Sequence, residues 1–367
     1  MSIASAIQGL ASRALSEQLG SNAATGSTLA RRINLKILYE STDISADITK
    51  YLKSFSFGDV MSGAADDIDI TLEDREELWQ GDWLPARGAI LTVSLITKAW
   101  SAADDEDHEL PVGQFEIDEI ENSSPPNEVK IKGVSIPNNA EIRGIEKNHS
   151  WEKANLSVIA KDIATGAGLE LYYDTADDPN LERAEQTEQT DLEFLMKLCK
   201  DEGLALKISD RQIIIFDEQK YEKADPVRTI TKGSTAVKTF SIKSSIHNIY
   251  KACHVKYKES KKNELIEFTF IAPDKKDSRG MTLQVNEQVA NIAEAEKMAK
   301  KKLREKNREE ITISMSMVGS FDLLSSNTVT LSGFHVFDGK YIIIKGKHDI
   351  GSGYGVNIDL RKVLDGY

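Results

Sequence analysis

The side chains that could carry out chemistry are spread along this chain without the spacing that catalysis or metal binding requires. The six histidines are His108, His149, His247, His254, His335 and His348. A zinc site needs three or four convergent ligands, and no stretch of the sequence supplies them. The sequence also has no HExxH, GxSxG, GxxxxGKS/T or GxGxxG motif. We therefore expect no catalytic residue, no metal and no cofactor.

Acidic residues are too common here to identify a site by themselves. Asp and Glu total 59, so a pair of carboxylates of the kind that a glycosidase needs can be found in many places. We interpret Asp66 and Asp67 as charges on a strand edge that prevent unwanted pairing. One alternative function, a peptidoglycan hydrolase, would use acids of residues 149–222 as catalysts.

Four tryptophans could stack on sugars, which is the basis of a second alternative, a carbohydrate-binding adhesin. They are Trp79, Trp83, Trp100 and Trp151. Anchoring in a core or an interface is the favoured interpretation, because buried aromatic residues dominate the energetics of both. Trp79 and Trp83 lie four residues apart between two stretches, 68–72 and 89–95, in which apolar and polar residues alternate. We predict that this pair anchors a turn where a neighbouring subunit or partner docks.

Composition and charge place the chain among ordinary globular proteins. Of its 367 residues 40% are hydrophobic and 29% are charged, with a formal net charge of −13. Proteins that bind nucleic-acid phosphates usually carry more basic than acidic residues. This chain carries more acidic than basic residues, so no sequence-specific nucleic-acid partner is expected. The basic run 297–308 is interpreted as a solvated helix face. Cys199 and Cys253 are predicted to be reduced thiols in the core.

Residues 1–29 are predicted to form an amphipathic helix followed by a linker. The apolar residues with helical spacing are Ile3, Ile7, Leu10, Ala14 and Leu15. Arg13 and Glu17 interrupt any long apolar run, so we predict neither a secretory signal nor insertion into a membrane. A helix that docks on a partner and a frayed terminus are both left open. The small polar residues 20–27 have the composition of a linker.

Residues 30–148 are predicted to form a first β-domain. Short runs of alternating residues, separated by loops of Ser, Asp, Gly and Pro, are typical of a barrel or a sandwich. The predicted strands are 33–39, 48–57, 68–72, 89–95, 113–121 and 128–134.

Residues 149–222 are predicted to form a small α/β module with the order αβαββ. Thr190 and Glu193 have the spacing of a capping box, which begins a helix that Gly203 ends. A first helix over 156–165 and a hairpin of strands 204–208 and 212–216 complete the module.

Residues 223–367 are predicted to form a second β-domain interrupted by a long helix over 286–306. The predicted inner stripe of this helix is Val289, Ile292, Ala293, Ala299 and Leu303. The strand 341–344 is apolar on both faces, so a helix or another subunit must cover its outer face. Gly113 with Phe115, and Gly339 with Tyr341, form a weak internal repeat that links the two β-domains.

Three stretches resemble the late control D family, the baseplate hub proteins of contractile tails. The first, from Asp66, reads DDIDITLEDREELWQGDWLPARG, and the second, from Thr187, reads TEQTDLEFLMKLCKDEGLAL. The second is also similar to an element of type VI secretion spike proteins. The third is Gly319–Leu364, which contains LSGF and, further on, FDGKYIIIKGKHDIGSGYGVNIDLRKVL. The resemblance is strongest to hubs of Gram-positive prophages and R-type bacteriocins.

This resemblance implies a mainly β fold with α+β elements, in which two tube-like β-barrel domains flank the α/β module. It implies a homotrimer that adapts a six-fold tail tube to a three-fold central spike. Further implied partners are wedge or LysM-type baseplate proteins and the tape measure. The protein would be made in the bacterial cytoplasm and released by lysis within a particle, without enzymatic activity of its own. The predicted interface residues are Trp79, Trp83, Phe115, Tyr341 and Ile343.

Overall fold

The computed structural model divides the chain into two compact units. It describes residues 31–81, 83–100, 102, 105–136, 141–259, 264–276 and 279–367, so the predicted N-terminal helix lies outside the described residues. Unit 1 contains the described residues up to Asp225, together with Ser316–Asn327 and Ile343–Ile358. Unit 2 contains Pro226–Met315, Thr328–Ile342 and Asp359–Tyr367. The predicted regions 30–148 and 149–222 therefore both fall in unit 1, and their separation as domains stays a prediction.

Antiparallel strands form the first part of unit 1. They are β1 (Arg32–Tyr39), β2 (Thr42–Asp43), β3 (Leu52–Val60), β4 (Asp67–Glu73), β5 (Ile90–Lys98), β6 (His108–Ser123) and β7 (Glu128–Val134). Their hydrogen-bonded order is β3-β4-β7-β6-β5-β1-β2. Ile68, Ile70 and Leu72 of β4 are buried, as their alternation predicts.

The predicted strand 48–57 is wrong in its first half, which forms helix α1 (Ser45–Tyr51) before β3 begins. The local reason is a turn at Asp43, whose Oδ1 accepts a hydrogen bond from the Ser45 backbone N–H at 2.9 Å. The helix buries Ile48. Ile44 and Ile48, four residues apart, fit a helical period as well as a strand period, so alternation alone could not decide.

The α/β module follows in unit 1. Its strands are β8 (Lys147–Asn155), β9 (Glu170–Asp174), β10 (Asn180–Gln189), β11 (Ala205–Ser209) and β12 (Gln212–Phe216). Its helices are α2 (Glu141–Gly144), α3 (Leu156–Gly166), α4 (Asp191–Glu202) and α5 (Glu218–Glu222). The capping box at Thr190 is present, and Gly203 ends α4 with φ 71°. Strand β10, which pairs with β8, is absent from the predicted order αβαββ.

The remaining elements extend to the end of the chain. The strands are β13 (Arg228–Thr231), β14 (Val237–Ser244), β15 (Tyr250–Glu259), β16 (Glu264–Ile271), β17 (Met281–Val285), β18 (Ile311–Val318), β19 (Thr328–Ser332), β20 (Gly339–Ile350) and β21 (Tyr354–Lys362). The long helix is α6 (Ile292–Asn307). Short 3-10 turns lie at Leu78–Gln80, Pro273–Lys275 and His335–Phe337. In unit 2, α6 packs with the sheet β16-β15-β17 around one apolar core.

The long helix begins six residues later than predicted. Asn291 is its N-cap, and the Asn291 side chain accepts a hydrogen bond from the Glu294 backbone N–H at 2.9 Å. The predicted stripe residue Ile292 is 61% exposed, whereas Ala299 and Leu303 are fully buried.

The predicted fold class, mainly β with α+β elements, is confirmed. Among the described residues, however, no sheet closes into a barrel. The strands β18, β20 and β21 are each divided between the two units, so the strands do not sort into two separate barrels. Tyr341, Ile342 and Ile343 are fully buried, so both faces of this strand are covered within the chain, as its sequence requires.

Candidate functional site

An apolar cavity of about 330 Å³ lies against one face of the first sheet of unit 1; we call it the tryptophan cavity. Its floor is made of aliphatic side chains from β1, β4, β5, β6 and β7. These are Ile37, Ile70, Leu91, Ile117 and Ile131. Helix α1 contributes Ile48, and the segment after β4 contributes Trp79, Trp83 and Leu84. The cavity therefore opens beside the tryptophan pair.

Asp74 builds the turn that carries the two tryptophans. Its buried carboxylate accepts hydrogen bonds from the Trp79 backbone N–H at 3.1 Å and from the Gln80 side chain at 3.2 Å. The Trp79 and Trp83 rings meet edge to face with centroids 5.5 Å apart, and Tyr51 contacts both rings. Trp79 is 6% exposed and Trp83 is 39% exposed. The turn thus holds one ring in the core and offers the other to the surface.

The other predicted interface residues lie inside the chain. Phe115 is 1% exposed, and Tyr341 and Ile343 are fully buried. The Tyr341 hydroxyl donates to the Phe337 carbonyl at 2.8 Å. Their side chains have no surface to offer to a partner, which leaves Trp83 as the predicted interface residue with substantial exposure. An interface role for Trp79 and Trp83 stays a prediction.

A group of buried charges in unit 1 was not predicted; Lys207, Asp59, Asp66 and Ser325 form what we call the charge cluster. The Lys207 Nζ lies 2.5 Å from the Asp59 Oδ1 and 3.0 Å from the Asp66 Oδ1. Ser325 donates its backbone N–H and its hydroxyl to Asp59 at 2.5 and 2.6 Å. Side-chain exposure of the three charged residues is 6% or less. The cluster joins β3, the segment before β4, strand β11 and the segment after β18.

The pKa values of the two carboxyls of the cluster are shifted in opposite directions. Burial would raise the pKa of Asp59, but Lys207 and the hydrogen bonds from Ser325 outweigh burial and lower it. For Asp66, burial dominates over the attraction of Lys207, and with repulsion from Asp59 it raises the pKa to about 6. Burial alone would lower the pKa of Lys207, yet the two carboxylates raise it. Asp59 and Lys207 thus form the charged pair, and Asp66 is the group closest to titration at neutral pH.

The interpretation of Asp66 as an edge charge is wrong. Strand β4 pairs on both sides, with β3 and with β7, and Asp66 is 2% exposed. One signal for this site was present in the sequence. Lys207 is the one charged residue of β11, whose five residues are all buried, and a buried Lys requires carboxylate partners. The sequence does not identify those partners, because they lie 148 residues away in the case of Asp59.

The acids of the α/β module hold local structure together. Asp178 accepts hydrogen bonds from the Ser157 backbone N–H at 3.0 Å and from its hydroxyl at 2.7 Å, at the start of α3. Asp191 pairs with Lys147 at 2.8 Å and accepts from Gln186 at 2.9 Å. Across the described residues, no three His, Cys, Asp or Glu side chains gather so as to hold a metal ion.

His348, Trp100 and Trp151 are packed into the fold, whereas His108, His149, His247 and His335 are exposed. His348 is fully buried, its Nδ1 lies 2.7 Å from the Tyr354 hydroxyl, and burial lowers its pKa to about 4. The Trp100 indole N–H donates to the Gly319 carbonyl at 3.0 Å. Trp151 stacks on Phe194 with centroids 5.2 Å apart. Trp83 is the most exposed of the four tryptophans.

The cysteine prediction is consistent with the structure, and no membrane helix is found in the part of the chain that it describes. Cys199 and Cys253 are both buried free thiols. No helix among the described residues has both the length and the apolar character needed to cross a membrane.

Sequence comparison relates the chain to one curated protein. No family model matches it. The chain is 30% identical over 182 residues to the "Probable baseplate hub protein" of Escherichia phage P2. The match covers 48% of this chain and 43% of that protein, so it spans less than half of the relative.

Structure comparison extends the likeness to most of the chain. A tail protein of Neisseria meningitidis MC58 has a TM-score of 0.67 and 13% identity, over 90% of this chain and 96% of that one. A 43 kDa tail protein of prophage MuSo2 from Shewanella oneidensis gives 0.66 and 13%, over 90% and 98%. An E. coli component of the type VI secretion system gives 0.53 and 13%, over 86% and 75%. The resemblance to baseplate hub proteins is confirmed, and these distant structures share the fold.

Proposed function

We propose that this protein is the structural hub of the baseplate of a contractile injection particle, a phage tail or an R-type bacteriocin. Three copies would join the six-fold tail tube to the three-fold central spike. The observation that carries the proposal is the sequence relation to a baseplate hub protein, and the fold shared with whole tail proteins supports it. The protein would be made in the bacterial cytoplasm and leave it by lysis as part of the particle.

The charge cluster suits a protein that bears load within such a particle. It ties together Asp59, Lys207 and Ser325, which come from distant parts of the sequence, inside unit 1. Breaking a buried, hydrogen-bonded ion pair leaves an uncompensated charge, which is strongly unfavourable. The segments that the pair connects are therefore hard to separate. We expect the cluster to keep unit 1 rigid while the tube and the spike are attached.

The proposed partners are further copies of this chain, the tail tube protein, the central spike protein, wedge or LysM-type baseplate proteins and the tape measure. The rim of the tryptophan cavity is the proposed contact of unit 1 with one of them. Trp83 and Leu84 are 39% and 49% exposed there. Tryptophan is among the residue types enriched in interfaces and in their hot spots.

Cutting of the cell wall would belong to another chain of the particle. The runner-up function, a tail hydrolase, would need a reactive carboxylate pair, and Asp178 and Asp191 already accept structural hydrogen bonds. Zymography on purified cell wall tests this point. Clearing by the isolated chain would favour the hydrolase.

The hub proposal is tested by the mass and the position of the assembled protein. Light scattering after gel filtration should give the mass of three chains, either alone or after addition of tail tube protein. Electron microscopy of the native particle should place a three-fold ring between tube and spike. A chain that stays monomeric under both conditions, or that lies elsewhere in the particle, would contradict the proposal.

A further inference from the structure

The tryptophan cavity is an incompletely filled core. Its volume of about 330 Å³ lies at the lower end of the roughly 300–1,000 Å³ range of ligand pockets. Its floor consists of aliphatic side chains from five strands. An apolar void next to a core lacks dispersion contacts, so filling it with apolar atoms is favourable. The occupant that fits this site is therefore an apolar side chain.

Ile246 of unit 2 is the most exposed large apolar side chain in the described part of the chain, at 90%. It lies in the loop 245–249 between β14 and β15, beside the exposed polar residues Ser244, His247 and Asn248. At this exposure the side chain adds little to the stability of its own chain. The same exposure shows that Ile246 does not fill the cavity of its own chain.

The loop that carries Ile246 is held at both ends. The Ser245 backbone N–H donates to the Glu310 carbonyl at 2.9 Å. The buried Asn307 side chain accepts from the Tyr250 backbone N–H at 2.9 Å and donates to the Tyr250 carbonyl at 2.8 Å. An anchor on a loop that is already held loses little conformational freedom when it binds. Ile246 is therefore prearranged to enter a pocket.

The segments around the cavity and around Ile246 have opposite charge. Residues 73–88, which carry Trp79, Trp83 and Leu84, contain five acidic and two basic residues. Asp47 also lines the cavity, where it pairs with Lys50 at 3.0 Å. Residues 226–258, which include the Ile246 loop, contain seven Lys or Arg and no Asp or Glu. Complementary charge of this kind speeds up encounter and suppresses wrong partners.

Val336 is a natural comparison, because it is the next most exposed large apolar side chain of unit 2, at 81%. Its turn contains the exposed Asp338, which accepts hydrogen bonds from the backbone N–H groups of Gly333 and Phe334. An acid at this position would be repelled by the acidic segment beside the cavity. Charge therefore favours Ile246 over Val336 as the occupant.

We propose that Ile246 of one copy occupies the tryptophan cavity of a second copy. The isoleucine side chain lies between Trp83 and the aliphatic floor, and Lys243 and His247 lie on the acidic side. Unit 2 supplies the anchor and unit 1 supplies the cavity, so the contact is heterologous and repeats head to tail until a ring closes. The number of copies in that ring, three, rests on the hub proposal.

Cysteine pairing in the full-length chain tests the contact. We would combine Ile246→Cys with Leu84→Cys at the rim of the cavity, since the native Cys199 and Cys253 are 1% and 0% exposed and do not interfere. Under mild oxidation, alone or with tail tube protein, this variant should form disulfides between copies up to the covalent trimer. Disulfides within single copies would overturn the proposal.

The matched control for the cross-link combines Val336→Cys with the same Leu84→Cys. It should link copies at least about tenfold more slowly, because Val336 has a low effective concentration at the cavity of the next copy. Equal rates in the two double variants would mean that the disulfides report random collision, and would refute the contact.

A pair of charge variants gives a readout without cysteines. Ile246→Asp places a charge in the apolar cavity and should raise the dissociation constant of the assembly at least about tenfold. Val336→Asp places the same charge at a site outside the contact and should change that constant by less than about twofold. Neither should alter the melting temperature of the monomer, because both residues are exposed. Light scattering over a dilution series measures the constant, and equal weakening by both variants would contradict the assignment.

The outcomes separate this contact from the hub proposal. A trimer that forms without the disulfide between positions 246 and 84 would contradict only the contact. The disulfide in a closed ring of another number of copies would contradict only the trimeric hub. A chain that stays monomeric and unlinked, alone and with tail tube protein, would contradict both.

Discussion

Two sheets in this protein bury an apolar face in different ways. In unit 2, the 16-residue helix α6 covers the sheet β16-β15-β17, and its residues Ala295, Ala299 and Leu303 are fully buried. In unit 1, the seven-residue helix α1 covers the first sheet only in part. At 1.5 Å per residue the two helices are about 24 and 10 Å long. The longer helix shares one apolar core with its sheet, whereas the tryptophan cavity lies beside the shorter helix.

The difference also shows how each unit obtains its stability. Unit 2 depends on close packing of a helix on a sheet. Unit 1 has an open cavity beside Trp83 and Leu84, but it contains the charge cluster around Lys207. The open face of unit 1 leaves room for a partner. The charge cluster holds the strands around it in place. We expect the two units to respond to different substitutions.

The largest effect is expected from the charge cluster. Asp59→Asn leaves the Lys207 charge without its main partner and should lower the free energy of unfolding by about 3–5 kcal/mol. Urea denaturation of unit 1, followed by the fluorescence of its tryptophans, measures this. At pH 5, below the pKa of Asp66, Asp66→Asn is the matched control and should change stability by less than about 1 kcal/mol, because burial already favours the neutral form of Asp66 there. Equal losses in both variants would mean that the cluster is not organised around Asp59.

The closed face of unit 2 should be sensitive to loss of packing. Leu303→Ala removes a fully buried side chain and should cost about 2–5 kcal/mol in the free energy of unfolding. Leu265 of β16 is 48% exposed, so Leu265→Ala should cost less than about 1 kcal/mol. If the two variants melted alike, the description of this face as closed would be wrong.

A smaller, pH-dependent effect is expected from Asp66. Its folded pKa of about 6 lies above the ordinary aspartate pKa of 3.8, so the favourable contribution of this group is present at low pH and is lost as pH rises through 6. The difference in unfolding free energy between the unmodified chain and Asp66→Asn should fall by about 1–3 kcal/mol between pH 4 and pH 7. The pKa of His348 is lowered to about 4, so its contribution to stability increases with pH, opposite to that of Asp66. This contribution is the same in the unmodified chain and in Asp66→Asn, so it cancels in the difference between them. A difference independent of pH would contradict the assignment.

The smallest effect on folding is expected at the open rim. Trp83→Ala should lower the melting temperature of the monomer only slightly, because the ring is 39% exposed. In the proposed hub, however, it should weaken the trimer or its contact with a partner, which light scattering would detect. Val336→Ala, at a residue 81% exposed in unit 2, is the surface control. A trimer that survives together with a strongly destabilised monomer would identify Trp83 as a core residue.

Local signals in the sequence identified much of the fold. Thr190 and Glu193 fix the start of α4 through bonds between neighbours, and alternation at Ile68 and Ile70 fixes the inner face of β4. Strand β10 was missed because most of its residues are exposed, which leaves no apolar period to detect. Helix α1 was missed because Ile44 and Ile48 fit two periods.

The site depended on contacts that local signals do not encode. The resemblance to hub proteins identified the tryptophan segment, but exposure separates Trp83 from Trp79, and only the fold sets exposure. Asp59 and Asp66 are two of 59 acids. No residue near Asp59 or Asp66 in the sequence indicates that they pair with Lys207. The pairing is therefore seen only in the folded structure.

The charge cluster also determines when unit 1 can finish folding during synthesis. Asp59 bonds Ser325, 266 residues later, and unit 1 further includes Ile343–Ile358. Long-range contacts of this kind form slowly, and the chain emerges from its N-terminus at a few residues per second or faster. During synthesis, Asp59 and Lys207 must therefore wait for Ser325 while most of unit 2 is made. Unit 1 therefore becomes complete only after Pro226–Met315 of unit 2 has been synthesised.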